Sequence, residues 1–189
     1  MRGFRRFPYI IEAIEKQGNQ LKIADVGGGR GALSLYLAHQ KHDVYVYDMD
    51  YNWDNQGDRF CNNRFMIYCA DNGVKAQYGS VFNIPTDDDT FDVVISASVI
   101  EYILHKKYAL LEMLRVLKPN GILVITYDLI QNHYEYPADE RVEVFSPELI
   151  REVLAEIDIN LQIHDDNDIA PISNIRKNKP PLACWNNRC

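Results

Sequence analysis

Between an apolar run at 21–26 and an amphipathic one at 32–38, the chain reads Asp25-Val26-Gly27-Gly28-Gly29-Arg30-Gly31. No other stretch constrains the fold as strongly. Glycine reaches positive φ without steric cost, and without a Cβ it lets a ligand approach the main chain closely. The helix that follows aims its unpaired N–H groups back at the loop. A strand, a glycine loop and a helix start together make a place where a nucleotide-like cofactor can touch bare backbone. Two carboxylates flank the loop: Asp25, two residues ahead of the first glycine, and Asp48 at the end of the next apolar run.

The rest of the chain repeats this alternation. Strands are predicted at 22–26, 43–47, 75–78, 91–97, 122–127 and 158–163, and helices at 9–17, 31–40, 56–72, 106–117 and 147–156. Strands alternating with helices of this length imply right-handed crossovers and a parallel sheet covered on both faces. The run 91–97 is nearly all apolar, as suits a central strand buried on both sides. Punctuation agrees: Gly18-Asn19 stops the first helix, Lys118-Pro119-Asn120-Gly121 reads as a turn, and Ser146-Pro147-Glu148 as a helix start. The segment 128–145 is long for a connection and rich in Tyr, His, Asp and Glu, which marks it as functional. The expected organisation is one domain over 1–176, followed by a tail over 177–189 that lacks period.

Composition narrows the function. A net charge of −7, with Lys and Arg scattered except near the two ends, argues against a nucleic-acid partner. No apolar stretch is long enough for a membrane span. The run Phe7 to Ile11 is too short for a signal-peptide core, so the chain reads as cytoplasmic. Cys61, Cys69, Cys184 and Cys189 form no C-x-x-C pair and read as thiols of a reduced compartment, although a bridge between Cys184 and Cys189 remains open. Asp87-Asp88-Asp89 reads as solvated acids in a turn, and no metal is expected. His39 and His42 suit a helix C-terminus, and Tyr36, Tyr45 and Tyr47 suit core and sheet.

The loop itself admits two cofactors. As Gly27-x-Gly29-x-x-Ala32, with Asp48 at ribose-binding distance in sequence, it matches a dinucleotide fingerprint and an NAD-dependent oxidoreductase. That alternative needs its own hydride-transfer residues. Four motifs in order favour another: DVGGGRG, VYVYDMD, GSVFNIPTDDDTFDVVISASVIEYI and LLEMLRVLKPNGILVITY. Together they resemble the class I S-adenosylmethionine-dependent methyltransferases, nearest the small-molecule branch that includes the quinone-biosynthesis enzymes. The resemblance covers about 21–157. It lacks the Asp/Asn-Pro-Pro-Tyr/Phe signature of enzymes that methylate nucleic-acid amines.

The resemblance implies a doubly wound Rossmann-like α/β sheet, mostly parallel, with an antiparallel last strand within 168–176. It implies S-adenosylmethionine as cofactor and a small-molecule methyl acceptor (metabolite, glycan or lipid precursor), in a protein that could form a homodimer. Asp25 would help hold the methionine ammonium, directly or through water, a pairing that a diphosphate would disfavour. Gly27, Gly29 and Gly31 would wrap the methionine and ribose portions. Asp48 would accept hydrogen bonds from both ribose hydroxyls. Ser80, with the backbone of Val81, stands where the family usually has Asp beside the adenine amino group. Met49 or Phe82 would flank the adenine, and Ser98 the edge of the cleft. Glu101 and His133 are the candidates for a general base, Tyr102 standing where many members have His. Acceptor choice would lie in 1–18 and 128–145, with Tyr134, Tyr136 and Phe145 available for an aromatic pocket. A cofactor-binding subunit of the same fold without catalysis is a further alternative.

Overall fold

The computed structural model describes residues 7–49, 60–128, 155, 170–174 and 182–187. The elements run α1 (Phe7–Gln17), β1 (Lys22–Val26), α2 (Ala32–His39), β2 (Asp43–Asp48), α3 (Phe60–Asp71), β3 (Val74–Tyr78), β4 (Phe91–Ala97), a 3₁₀ turn (Ile100–Tyr102), α4 (Lys106–Val116), β5 (Leu117–Asp128), β6 (Ala170–Asn174) and β7 (Leu182–Asn187). The strand expected at 158–163, the helix at 147–156 and the start of the helix at 56–59 lie outside the described residues.

The strands form a single sheet in the order β3-β2-β1-β4-β5-β7-β6. The pairs from β3 across to β5 are all parallel. Both faces are covered. On one, Ile10 and Ile14 of α1, Leu33 and Leu37 of α2 and Met66 of α3 pack on Ile23, Val44, Val46, Val93 and Ile95. On the other, Ala109, Leu110, Met113 and Val116 of α4 pack on Ala24, Val26, Val94, Leu123 and Ile125. Successive strand residues therefore alternate between two cores, which explains why β1 and β4 read as mostly apolar runs with no polar–apolar alternation. Among the described residues no helix is long and apolar enough to cross a membrane.

The far edge of the sheet departs from expectation. β6 falls inside 168–176 and pairs antiparallel with β7. The last strand of the chain, β7, instead runs parallel to β5 and lies between β5 and β6. So the antiparallel member is the penultimate strand, not the last. Seven residues join β6 to β7, enough for an antiparallel hairpin and too few for a parallel crossover. β7 also lies within 177–189, where the sequence shows no period.

The turn expected at 118–121 is absorbed into β5. Leu117 already pairs with Phe91, and the register resumes at Ile122 opposite Val93, so the residues between bulge out. Gly121 makes the bulge possible. A Cβ there would stand 2.8 Å from the main-chain oxygen of Asp92 and 2.7 Å from Leu117 Cδ1. Backbone cannot step aside as a side chain can. Gly121→Ala should therefore lower stability by about 1–3 kcal/mol in urea denaturation, and an unchanged midpoint would contradict this account of the bulge.

The strand order reverses between β1 and β4, where one neighbour continues to β2 and the other to β5. In open α/β sheets the crevice at such a switch point, beyond the carboxyl ends of the strands, is where ligands bind. The glycine loop follows β1 and Ser98 follows β4, so the topology sets them side by side.

Candidate functional site

The glycine loop is tied to the end of β2. The Gly27 N–H donates to the Tyr47 carbonyl at 2.7 Å, and the Gly28 N–H reaches the same oxygen at 3.4 Å. Gly27 has φ +75, and a Cβ on it would lie 2.4 Å from Val99 Cγ2. At Gly28 the obstacle is below: a Cβ would meet Val46 Cγ2 at 2.3 Å and Asp25 Oδ2 at 2.9 Å. The loop thus lies directly on the Asp25 carboxylate. Gly29 opens the other way, with nothing near its missing Cβ, and its N–H donates to Asp48 Oδ2 at 2.9 Å. Gly31 caps α2, its N–H donating to the Gly28 carbonyl at 2.8 Å and its own carbonyl accepting from Leu35 N–H.

Asp25 is 2% exposed, a carboxyl in the core beneath a cleft. Ser34 of α2, also buried, donates its hydroxyl to Asp25 Oδ2 at 2.6 Å. Burial pushes the Asp25 carboxyl up from 3.8 to about 6; the Ser34 hydrogen bond opposes this, and the charge of Asp48 adds to it. No motif flags Ser34. Its only sequence signal is a serine inside an otherwise apolar turn, nine residues after Asp25.

A cavity of about 460 Å³ opens over the loop. One end is lined by Gly27, Asp48, Met49, Val81, Phe82 and Ser98, so six residues read from separate motifs converge on one space. Met49 and Phe82 are 63% and 46% exposed, apolar side chains held open on a concave wall, as a ring-binding site requires. Ser80 stands off the cavity wall. Its hydroxyl accepts the Phe82 N–H at 3.2 Å, and its main chain pairs with Asn83, making the tight turn that presents Val81 and Phe82. Ser98 has φ +58, a strained conformation for a residue with a Cβ, and its N–H donates to the Thr126 carbonyl at 2.8 Å.

The other wall comes from the 3₁₀ turn and the residues after it: Tyr102, Ile103, Leu104 and His105. Of these four, only Tyr102 was expected near the acceptor from the sequence; Ile103, Leu104 and His105 were not. The tight turn buries Ile100 and Glu101 and turns Tyr102 outward. Glu101 is 1% exposed and is not part of the cavity wall. His133, Tyr134, Tyr136 and Phe145 lie outside the described residues, as does most of 128–145. A second concavity, about 440 Å³, lies between α3 and β3 away from the loop and is lined mainly by apolar side chains.

The oxidoreductase alternative has one match here. Tyr102 and Lys106 stand at the Tyr-x-x-x-Lys spacing of some NAD-dependent enzymes. Lys106, however, is 3% exposed, and its amine donates to the Ile103 carbonyl at 2.7 Å. It is turned into the protein and not toward the cavity that Tyr102 lines. No Lys or Arg lines that cavity among the described residues, whereas the carboxylate of Asp48 does.

A family model described as a methyltransferase domain matches residues 24–125. A curated ubiquinone biosynthesis O-methyltransferase from Rickettsia prowazekii is 32% identical over 126 residues, covering 64% of this chain and 46% of that protein. The chain thus spans about half the length of the curated relatives it matches. Among solved structures, an S-adenosylmethionine-dependent methyltransferase from Aquifex aeolicus aligns with a TM-score of 0.62 at 21% identity, over 82% of this chain and 81% of that one. A Pyrococcus horikoshii protein aligns with a TM-score of 0.67 at 17% identity, over 93% and 87% of the two chains. These structural likenesses establish a shared Rossmann-like fold.

Proposed function

Because the chain belongs to the methyltransferase-domain family, we propose that it transfers a methyl group from S-adenosylmethionine to a hydroxyl of a small-molecule acceptor. The observation that carries this is the pairing of Asp48, on the cavity wall, with Gly29 of the loop. Gly29 is an open backbone position whose N–H is held by a carboxylate, and among the described residues no cationic side chain lines the cavity. A cationic, ribose-bearing cofactor suits those groups, and a dinucleotide's diphosphate does not. The absence of room for a Cβ at Gly28, directly over Asp25, fits the same cofactor, whose ammonium needs a nearby negative charge.

Bound there, S-adenosylmethionine supplies a methyl carbon already activated by its sulfonium. The protein's share is to hold it and exclude water. We assign Asp48 to the ribose hydroxyls, and Gly27, Gly29 and Gly31 to the main-chain lining of the methionine and ribose portions. Asp25 acts from beneath the loop as the counter-charge to the ammonium. The turn braced by Ser80 offers Val81 to the adenine edge, Met49 and Phe82 flank its plane, and Ser98 borders the methyl-transfer end. Glu101, buried off the wall, is assigned to holding the turn that presents Tyr102. His133 lies outside the described residues and carries no role here.

The acceptor class rests on the relatives, which are O-methyltransferases of ubiquinone biosynthesis, and on the aromatic and apolar wall of Tyr102, Ile103 and Leu104. A hydroxylated aromatic acceptor fits both. A cytoplasmic location and a homodimer belong to the same proposal, the latter open to light scattering. The test is S-adenosylhomocysteine formation across a panel of catechols and hydroxybenzoates. Turnover with at least one of them is expected. Cofactor binding without turnover on any acceptor would favour the non-catalytic subunit instead.

A further inference from the structure

Resting on that methyl transfer, we infer that His105 is the catalytic base that takes the proton from the acceptor hydroxyl. It lines the same cavity as Asp48, on the wall that also carries Tyr102, Ile103 and Leu104. Among the described residues it is the only imidazole on that wall, and imidazole is the side chain that exchanges protons around neutrality. On the preceding turn, Glu101 is buried and off the cavity wall, and the Tyr102 hydroxyl, which lines it, is a weaker proton acceptor than imidazole.

His105 is built to present its ring reproducibly. It occupies the cap position of α4, its carbonyl accepting the N–H groups of Tyr108 at 3.1 Å and Ala109 at 3.3 Å. That fixes its main chain at the start of the helix. Its ring packs edge-on against Tyr108, centroids 6.2 Å apart at 76°, which limits where the imidazole can swing. The side chain is also exposed, so a proton received from the acceptor can pass on to water. Apolar neighbours raise the energy of a bare oxyanion, which makes a base at this wall useful and its absence costly.

The step balances. The acceptor O–H bond breaks, and its proton goes to an imidazole nitrogen of His105. The oxygen's electron pair forms the bond to the methyl carbon, and the carbon–sulfur pair stays on sulfur. An amine acceptor would fit less well: a cationic amine would seek a carboxylate, and among the described residues the one lining the cavity is Asp48, assigned to the cofactor's ribose.

The test uses the full chain, S-adenosylhomocysteine and 4-nitrocatechol, whose phenolate is visible by its absorbance, so no turnover is needed. In the wild-type protein the bound nitrocatechol should ionise at a pH about one unit or more below that in solution, as a protonated imidazole partner dictates. In His105→Gln that shift should vanish and nitrocatechol affinity should fall about tenfold, while the melting temperature and S-adenosylhomocysteine affinity stay unchanged. An equal shift in both proteins, or no shift in the wild type, overturns the assignment. If the wild type binds no S-adenosylhomocysteine by calorimetry, the cofactor proposal itself has failed, and the base assignment falls with it.

Discussion

Asp48→Ala should weaken S-adenosylmethionine binding by about a hundredfold or more. Two losses add. The first is the pair of charge-assisted hydrogen bonds assigned to the ribose hydroxyls, each worth about 1.5–3 kcal/mol. The second is the tether on the loop, since Asp48 Oδ2 accepts the Gly29 N–H at 2.9 Å and so holds the open glycine in place. Even at the low end of that range the two bonds sum to about 3 kcal/mol, which corresponds to about two powers of ten in affinity before the tether is counted. Asp48→Asn keeps one acceptor oxygen and should lose less, about tenfold. Titration calorimetry on both variants checks the order. The fold should be nearly indifferent, because Asp48 is only half-buried at a strand end. A variant that binds like the wild type would remove Asp48 from the site.

Asp25→Asn should separate stability from function. The Asp25 carboxyl ionises at about 6 in the fold against an ordinary 3.8, so the native state holds its proton more tightly than the unfolded chain. Burying the ionised group is therefore unfavourable. The penalty is absent below pH 3.8, grows as pH rises, and is complete above about 6. At about 1.4 kcal/mol per pH unit, it amounts to about 3 kcal/mol at neutral pH. Asparagine carries no charge, and its oxygen can still accept from Ser34. Its amide N–H groups lack the water they would have outside, which gives back about 1–3 kcal/mol. The variant should therefore be at least as stable as the wild type at pH 7.5, and should lose ground steadily as pH falls from 6 toward 4. Urea denaturation at several pH values reads this directly, and a stability difference independent of pH would contradict it.

The same substitution should weaken cofactor binding, because the ammonium loses its counter-charge. Wild-type affinity should itself decline as pH drops through about 6 and Asp25 takes up a proton, whereas Asp25→Asn should show no such decline. A carboxylate kept buried beneath a glycine loop, against the stability of the empty protein, is the pattern expected where a ligand's charge completes the site.

The inner sheet was legible in sequence for a physical reason. β1 and β4 are buried on both faces, so their runs are mostly apolar without alternation, and they end abruptly at Gly27 and Ser98. Parallel order followed from the helices between them, and the convergence of the loop with Asp48 and Ser98 followed from parallel order. What escaped was whatever depends on geometry finer than period. The outward turn of Tyr102 and the place of His105 follow from one short 3₁₀ turn, to which the sequence assigned no element. Ser34 is a serine in an apolar helix until the fold sets it against Asp25. β5 begins at Leu117 because a bulge hides the turn residues inside the strand. β7 also pairs with β5, more than fifty residues earlier in the chain, and long-range pairing leaves little local trace.

The central claim is that the cleft between β1 and β4 holds S-adenosylmethionine. Parallel calorimetric titrations of the wild-type protein with S-adenosylmethionine and with NADH test it most directly. One equivalent of S-adenosylmethionine should bind, S-adenosylhomocysteine should displace it, and NADH should give no heat. Saturable NADH binding, or no binding of S-adenosylmethionine at neutral pH, would contradict it.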